Sequence, residues 1–256
     1  MGSTRKGGGP SLDAEIAYNE VYNTGVDGIQ FDGLRNSTGS KNDIRARIHH
    51  NVVHNTVLQS ADSGAIKMVG ADGRWVRIDH NIIYNTGGTP TASQYLFYGI
   101  YLDYTATTTG GYVIDHNVVF NTPIGININR TYNIEVYNNT LLQPAIIGRH
   151  SIGNDAGGTM DGVVIRNNLA NRSGRGLSGT GLNSVLSNNV FNAAETATWF
   201  VDPLNAALPS RNYSLVSNAT TTGTSGAIDR GVSVSPFDDP LIGATDLGAY
   251  AFGTAR

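Results

Sequence analysis

The chain has 256 residues, and its 39% hydrophobic content is enough for one well-filled core. Only 14% of residues are charged and the formal net charge is -3, which excludes the basic footprint of a nucleic-acid binder. Cysteine is absent, which removes disulfides and thiolate metal sites, and no apolar run is long enough to span a membrane as a helix.

In chain order, residues 1–14 open with M-G-S-T-R-K-G-G-G-P and read as a leader to be set aside from fold reasoning. A phrase then begins to return: Asn, two or three apolar residues, and Asn-Thr. It reads N-E-V-Y-N-T at Asn19, N-V-V-H-N-T at Asn51, N-I-I-Y-N-T at Asn81 and N-V-V-F-N-T at Asn117, with weaker copies at Asn139, Asn168 and Asn189. The intervals are 32, 30, 36, 22, 29 and 21 residues, the spacing of a solenoid. Within one unit, A-I-K-M-V, W-V-R-I-D-H and I-I-Y-N-T are short apolar stretches. The first two alternate with period two, as strands with one buried face do. The Asn between the second and third stretches is expected to take the left-handed conformation of a sharp bend.

Stacking would place these Asn residues about 4.8 Å apart, with their amides bonded along the pile as in other Asn ladders. Val53, Ile83, Val119, Leu141 and Val190 are expected inside. The predicted fold is all-β, a right-handed parallel β-helix of about seven coils over residues 15–195. Residues 196–256 are expected to form an irregular cap of the same domain, folded over the last coils. His50, His80 and His116, with Asp79 and Asp115, recur at one phase of successive coils and read as scaffold rather than as a metal site.

The phrases R-I-H-H-N-V-V, R-I-D-H-N-I-I, V-I-D-H-N-V-V, I-E-V-Y-N-N-T-L and V-V-I-R-N-N-L make the chain resemble the pectin-lyase-like superfamily over roughly residues 15–195. In the tail, G-A-I-D-R-G at 226–231 and D-L-G-A-Y at 246–250 resemble the closing segment of polysaccharide lyases of the alginate lyase and chondroitinase type. The resemblance implies a polysaccharide-active, secreted protein, extracellular or periplasmic. It also implies a Lys or Arg base with calcium, although this scaffold carries several chemistries.

The first strand of each coil departs from the scaffold pattern. D-G-I-Q-F-D, G-A-I-K-M-V, Y-G-I-Y-L-D and I-G-I-N-I-N align, with Ile29, Ile66, Ile100 and Ile126 inward, then Phe31, Met68, Leu102 and Ile128. The outward rows read Gln30, Lys67, Tyr101, Asn127 and Asp32, Val69, Asp103, Asn129, with Arg130 just beyond. Insertions around these strands are expected to wall a groove in which Tyr95, Tyr104, Arg149 and His150, with Gln30, Asn127 and Asn129, contact substrate.

One chemistry for this face is β-elimination on a uronic-acid polysaccharide. Lys67 is then the candidate base, Tyr101 donates or relays the proton, and Arg130 neutralises the carboxylate. The alternative neutraliser is calcium held by Asp32, Asp103 and Asn129, although Val69 interrupts that row. A second chemistry is inverting glycoside hydrolysis by Asp32 and Asp103. Two rungs place them about 9.6 Å apart, against roughly 6.5–9.5 Å for such pairs. The N-T-D and G-H-G motifs of polygalacturonase-type hydrolases are absent. A third reading is a non-catalytic carbohydrate-binding or adhesin solenoid. An unprotected first coil also makes homodimerisation through that edge an expectation.

Overall fold

The structure is a computed structural model. It describes residues 12–32, 43–70, 72–87, 96–103, 111–143, 150–155, 157, 160–177, 183–191, 200–202, 212–215, 227–228, 231–236 and 246–250. These residues are all-β, and no helix among them is long and apolar enough to cross a membrane.

Strands β1 (Leu12–Ala17), β4 (Asp43–His49), β7 (Asp72–Asp79), β10 (Tyr112–Asp115), β13 (Ile134–Tyr137), β16 (Val163–Arg166) and β18 (Val185–Ser187) form the first sheet. The second contains β2 (Glu20–Tyr22), β5 (Val52–Thr56), β8 (Ile82–Thr86), β11 (Val118–Phe120), β14 (Thr140–Leu142) and β17 (Leu169–Ala170). The third contains β3 (Ile29–Asp32), β6 (Ser63–Val69), β9 (Phe97–Asp103), β12 (Ile124–Asn129) and β15 (His150–Gly153). Pairing within all three is parallel and in sequence order, as in a β-helix solenoid. The core draws inward residues from every sheet, among them Ile29, Ile48, Ile66, Ile78, Ile83, Ile100, Val119, Ile126 and Leu141.

Two residues turn the chain between the first and second sheets. The left-handed one is not the ladder Asn but the residue before it: Tyr18, His50, His80, His116, Asn138, Asn167 and Asn188, with φ of 50–58°. The ladder Asn is needed for its amide instead. Each Nδ2 donates to the Oδ1 of the next Asn at 2.9–3.1 Å, from Asn19 through Asn51, Asn81, Asn117, Asn139 and Asn168 to Asn189. That same Oδ1 also accepts the backbone N–H of the Asn before it. At the next corner Asn23, Asn55, Asn85 and Asn121 do occupy the left-handed region, and Asn85 donates to Asn55 at 3.1 Å.

The repeated histidines are scaffold. His50, His80 and His116 stack ring on ring with centroids 4.9 and 5.0 Å apart. Beside them, Arg47 forks onto buried Asp79 at 3.0 and 2.8 Å, and Arg77 onto buried Asp115 at 2.9 and 2.6 Å. Burial pushes the Asp79 carboxyl up, but hydrogen bonds from His80 and Arg47 and the Arg77 charge outweigh it and hold the group well below its usual 3.8. Its ion pairs therefore stabilise the fold above that unfolded-state value, and the contribution drains away as pH falls below it. Asp79→Asn is expected to cost about 2–3 kcal/mol at pH 7, below the range for a fully buried pair because Arg47 is solvent-accessible. Urea midpoints at pH 7 and pH 3 check this: the gap between variant and wild type should narrow at the lower pH.

One inward assignment is off by a residue. Val190 pairs with Leu169 and packs outside the second sheet, whereas Phe191 meets the core. Inward residues lie two positions after the ladder Asn, and a one-residue slip exchanges the faces. In the tail, Phe200, Leu215, Ala227, Ile228, Leu247 and Ala249 cover Tyr84, Val118, Phe120 and Leu169 on the outer face of the second sheet. The Gly248 N–H donates to the Asn167 carbonyl at 2.8 Å, and the Ala249 N–H to Thr140 Oγ1 at 2.9 Å. The described tail thus lies along the flank of the stack.

Candidate active site on the third sheet

The register sets Gln30 beside Lys67, Lys67 beside Tyr101 and Tyr101 beside Asn127. Asp32, Val69, Asp103 and Asn129 form the neighbouring row. Both rows lie outside the core, as the alternation requires, but the polar side chains are largely covered: Tyr101 is 2% exposed and Asn127 0%.

Burial is matched by partners. Lys67 Nζ donates to the Asp62 carbonyl at 2.7 Å, sits 3.9 Å from Asp103 Oδ2, and lies 4.8 Å from the Tyr101 ring centroid. The Tyr101 hydroxyl donates to Asp62 Oδ1 at 3.0 Å and accepts from Asn129 Nδ2 at 3.1 Å. Asn127 Nδ2 donates to Asn129 Oδ1 at 3.0 Å, and the Asp155 N–H donates to Asn127 Oδ1 at 3.2 Å. The Tyr98 hydroxyl closes the chain on Asp155 Oδ2 at 3.4 Å, and Arg175 approaches the same carboxylate at 3.5 Å.

The electrostatics follow from this packing. Burial pushes the Asp103 carboxyl up, partly offset by the Tyr101 hydroxyl and the Lys67 charge, and Asp103 Oδ1 is buried without a hydrogen-bond partner. Burial, reinforced by the Asp103 and Asp62 charges, raises Tyr101 far above an ordinary phenol, so it stays protonated. Burial acts on Tyr98 in the same direction. The cluster thus joins a proton donor, a carboxyl disposed to exchange a proton, and a cation.

Other expected residues stand apart from this core. Asp32 and Arg130 are exposed, and Arg130 turns the chain out of β12 with φ 48°. His150 is buried beside Ile124, and its ring lies so close to Gly153 that a Cβ there would meet it at 2.4 Å. Tyr95, Tyr104 and Arg149 lie outside the described residues. Asp62, Tyr98 and Asp155 join the cluster unannounced by the sequence. Ala65 and Ile66 both enter the core, which breaks the alternation, and the equivalent shift in β9 brings Tyr98 against Tyr101 with ring centroids 4.1 Å apart.

A shared calcium ion does not fit the expected ligands. Calcium–oxygen bonds of about 2.3–2.6 Å bring ligand oxygens within about 5 Å of one another. Asp32 and Asp103 are instead separated by the β6 rung carrying Val69, and Asn129 Oδ1 already accepts from Asn127. No group of three or more His, Asp or Glu suited to a metal occurs among the described residues.

No family model matches this chain, and searches of curated proteins and solved structures return no match. The chemistry of the cluster therefore carries the functional reading.

Proposed function

We propose that the third-sheet face binds a uronic-acid-containing polysaccharide and cleaves it by β-elimination, on a solenoid read as a right-handed β-helix of the pectin-lyase-like kind with about seven coils. The supporting observation is the meeting of Lys67, Tyr101 and Asp103 within one buried network. Lys67, held here as a donor, takes the substrate carboxylate and stabilises the negative charge that develops on it. The Asp103 carboxylate removes the C5 proton, the electron pair forms the new double bond, and the bond to the C4 oxygen breaks. Tyr101, which stays protonated, gives its proton to the leaving oxygen. Lys67 moves from the expected base to the neutralising group, because a donor already turned to a carbonyl is poorly placed to remove a proton. Arg130, exposed at the end of β12, is assigned to substrate contact.

Incubation with alginate, pectate, hyaluronan and chondroitin, with and without calcium, should raise the ultraviolet absorbance of an unsaturated uronate on at least one polymer. New reducing ends without that absorbance would replace elimination with hydrolysis by Asp103 and Asp32. The near-complete burial of Tyr101 and Asn127 favours a second reading, a non-catalytic carbohydrate-binding solenoid. Neither product on any polymer, with binding retained, would establish it.

A further inference from the structure

We propose a second saccharide-binding surface on the outer face of the first sheet, centred on Trp75 and separate from the third-sheet cluster. Trp75 presents its indole to solvent, at 72% exposure. Its backbone explains how it is held there. Ile44 pairs with Gly73 but Ala46 pairs with Val76, so β7 carries an extra residue, and Trp75 takes φ 88°. Bulges of this kind re-aim side chains, and a bulky residue at positive φ is a costly conformation that clusters at binding sites.

Two grooves meet at this indole. One of about 540 Å³ runs over β1 and β4 between Asp13, Glu15, Arg45 and Arg47. The other, of about 830 Å³, runs over β10, β13 and β16, with Asn133, Glu135, Tyr137 and Arg166 among its lining and Ser233–Pro236 as its far wall. Together they cross six strands, or about 24 Å at 4.8 Å per step. A trough of that length suits a chain rather than a compact ligand. Its polar groups suit a sugar chain: Glu135 and Asn133 can bond hydroxyls, and Arg166 Nε is buried without a hydrogen-bond partner. The Arg166 guanidinium lines this groove, and its forked N–H donors match a carboxylate. The indole supplies the flat, amphipathic platform for a pyranose face. We therefore assign the surface to a uronic-acid oligosaccharide. The identity of the sugar rests on the function proposed above, but the existence of the surface does not.

Tryptophan fluorescence separates the two. The chain has 2 tryptophans, Trp75 and Trp199, so Trp75→Phe and Trp75→Gly leave one reporter. Titration with alginate, pectate, hyaluronan or chondroitin oligosaccharides should shift the wild-type emission. Trp75→Gly should abolish that shift and weaken affinity, read by calorimetry, at least tenfold. Trp75→Phe should retain part of the affinity, and Arg166→Gln should weaken it severalfold. Because glycine relieves the strained φ, Trp75→Gly should melt no lower than wild type, so lost binding cannot be ascribed to unfolding. Unchanged affinity in Trp75→Gly would overturn the proposal. So would an unmoved wild-type emission, or a wild-type dimer that Trp75→Gly converts to monomer with sugar affinity intact. Turnover of a short oligosaccharide should change less than twofold in Trp75→Gly. If no unsaturated product forms at all, the elimination reading fails while the fluorescence result still decides this surface.

Discussion

Asn117→Ala is expected to destabilise the chain by about 3–5 kcal/mol, a large share of the roughly 5–15 kcal/mol that holds a domain together. Asn117 lies in the middle of the ladder and is fully buried. Its Oδ1 accepts both the backbone N–H and the Nδ2 of Asn81, at 3.0 Å each. Its Nδ2 donates to the carbonyls of Ile78 and Asp115 and to Asn139 Oδ1. Alanine removes all five bonds and leaves the Asn81 N–H in the interior with no water to replace its partner, at about 1–3 kcal/mol for that group alone. Asn117→Asp should be no milder at neutral pH, because a buried carboxylate would face Asn139 Oδ1 with no proton to offer. Asn189→Ala, at the partly buried last rung, should cost about 1–2 kcal/mol. Urea midpoints of the three variants test the gradient. Equal losses below about 1 kcal/mol at both positions would show that the ladder is ornament rather than structure.

The ladder was also the most legible part of the sequence, for the same physical reason. A buried amide stacked on its copies tolerates no substitute, so the phrase is preserved from rung to rung. The eight inward residues of the third sheet, Ile29 to Ile128, all enter the core because a pleated strand allows only two faces. Sequence reasoning failed where geometry departs from period. The left-handed residue precedes the ladder Asn, and histidine at that place gave no hint of it. Trp75 lies on the outward face that the alternation in W-V-R-I-D-H assigns it, but the extra residue in β7 and the positive φ at Trp75 carry no signal in the sequence. Asp62 and Asp155 belong to the turns that flank β6 and β15, outside the repeated phrase. Their capture of Tyr101 and Tyr98 emerges only once the chain is folded.

The candidate site should show itself in pH dependence as much as in rate. Tyr101→Phe keeps the buried ring and removes the donor, so a loss of 10²-fold or more in kcat with little change in KM is expected if the hydroxyl is the acid. Asp103 must be ionised to act as base, and burial raises its pKa, so activity should climb with pH along a limb shifted above that of an ordinary carboxyl. Asp103→Asn should lower the rate as strongly and leave no such limb. Lys67 couples the two, because its charge adds to the Tyr101 hydroxyl in drawing the Asp103 carboxyl back down. Lys67→Met should therefore move the acidic limb to higher pH besides raising KM, and Lys67→Arg should restore part of both. A residue that only filled space would alter stability and leave the limb where it was. A pH–rate profile of Lys67→Met superimposable on wild type would thus remove Lys67 and Asp103 from the chemistry together.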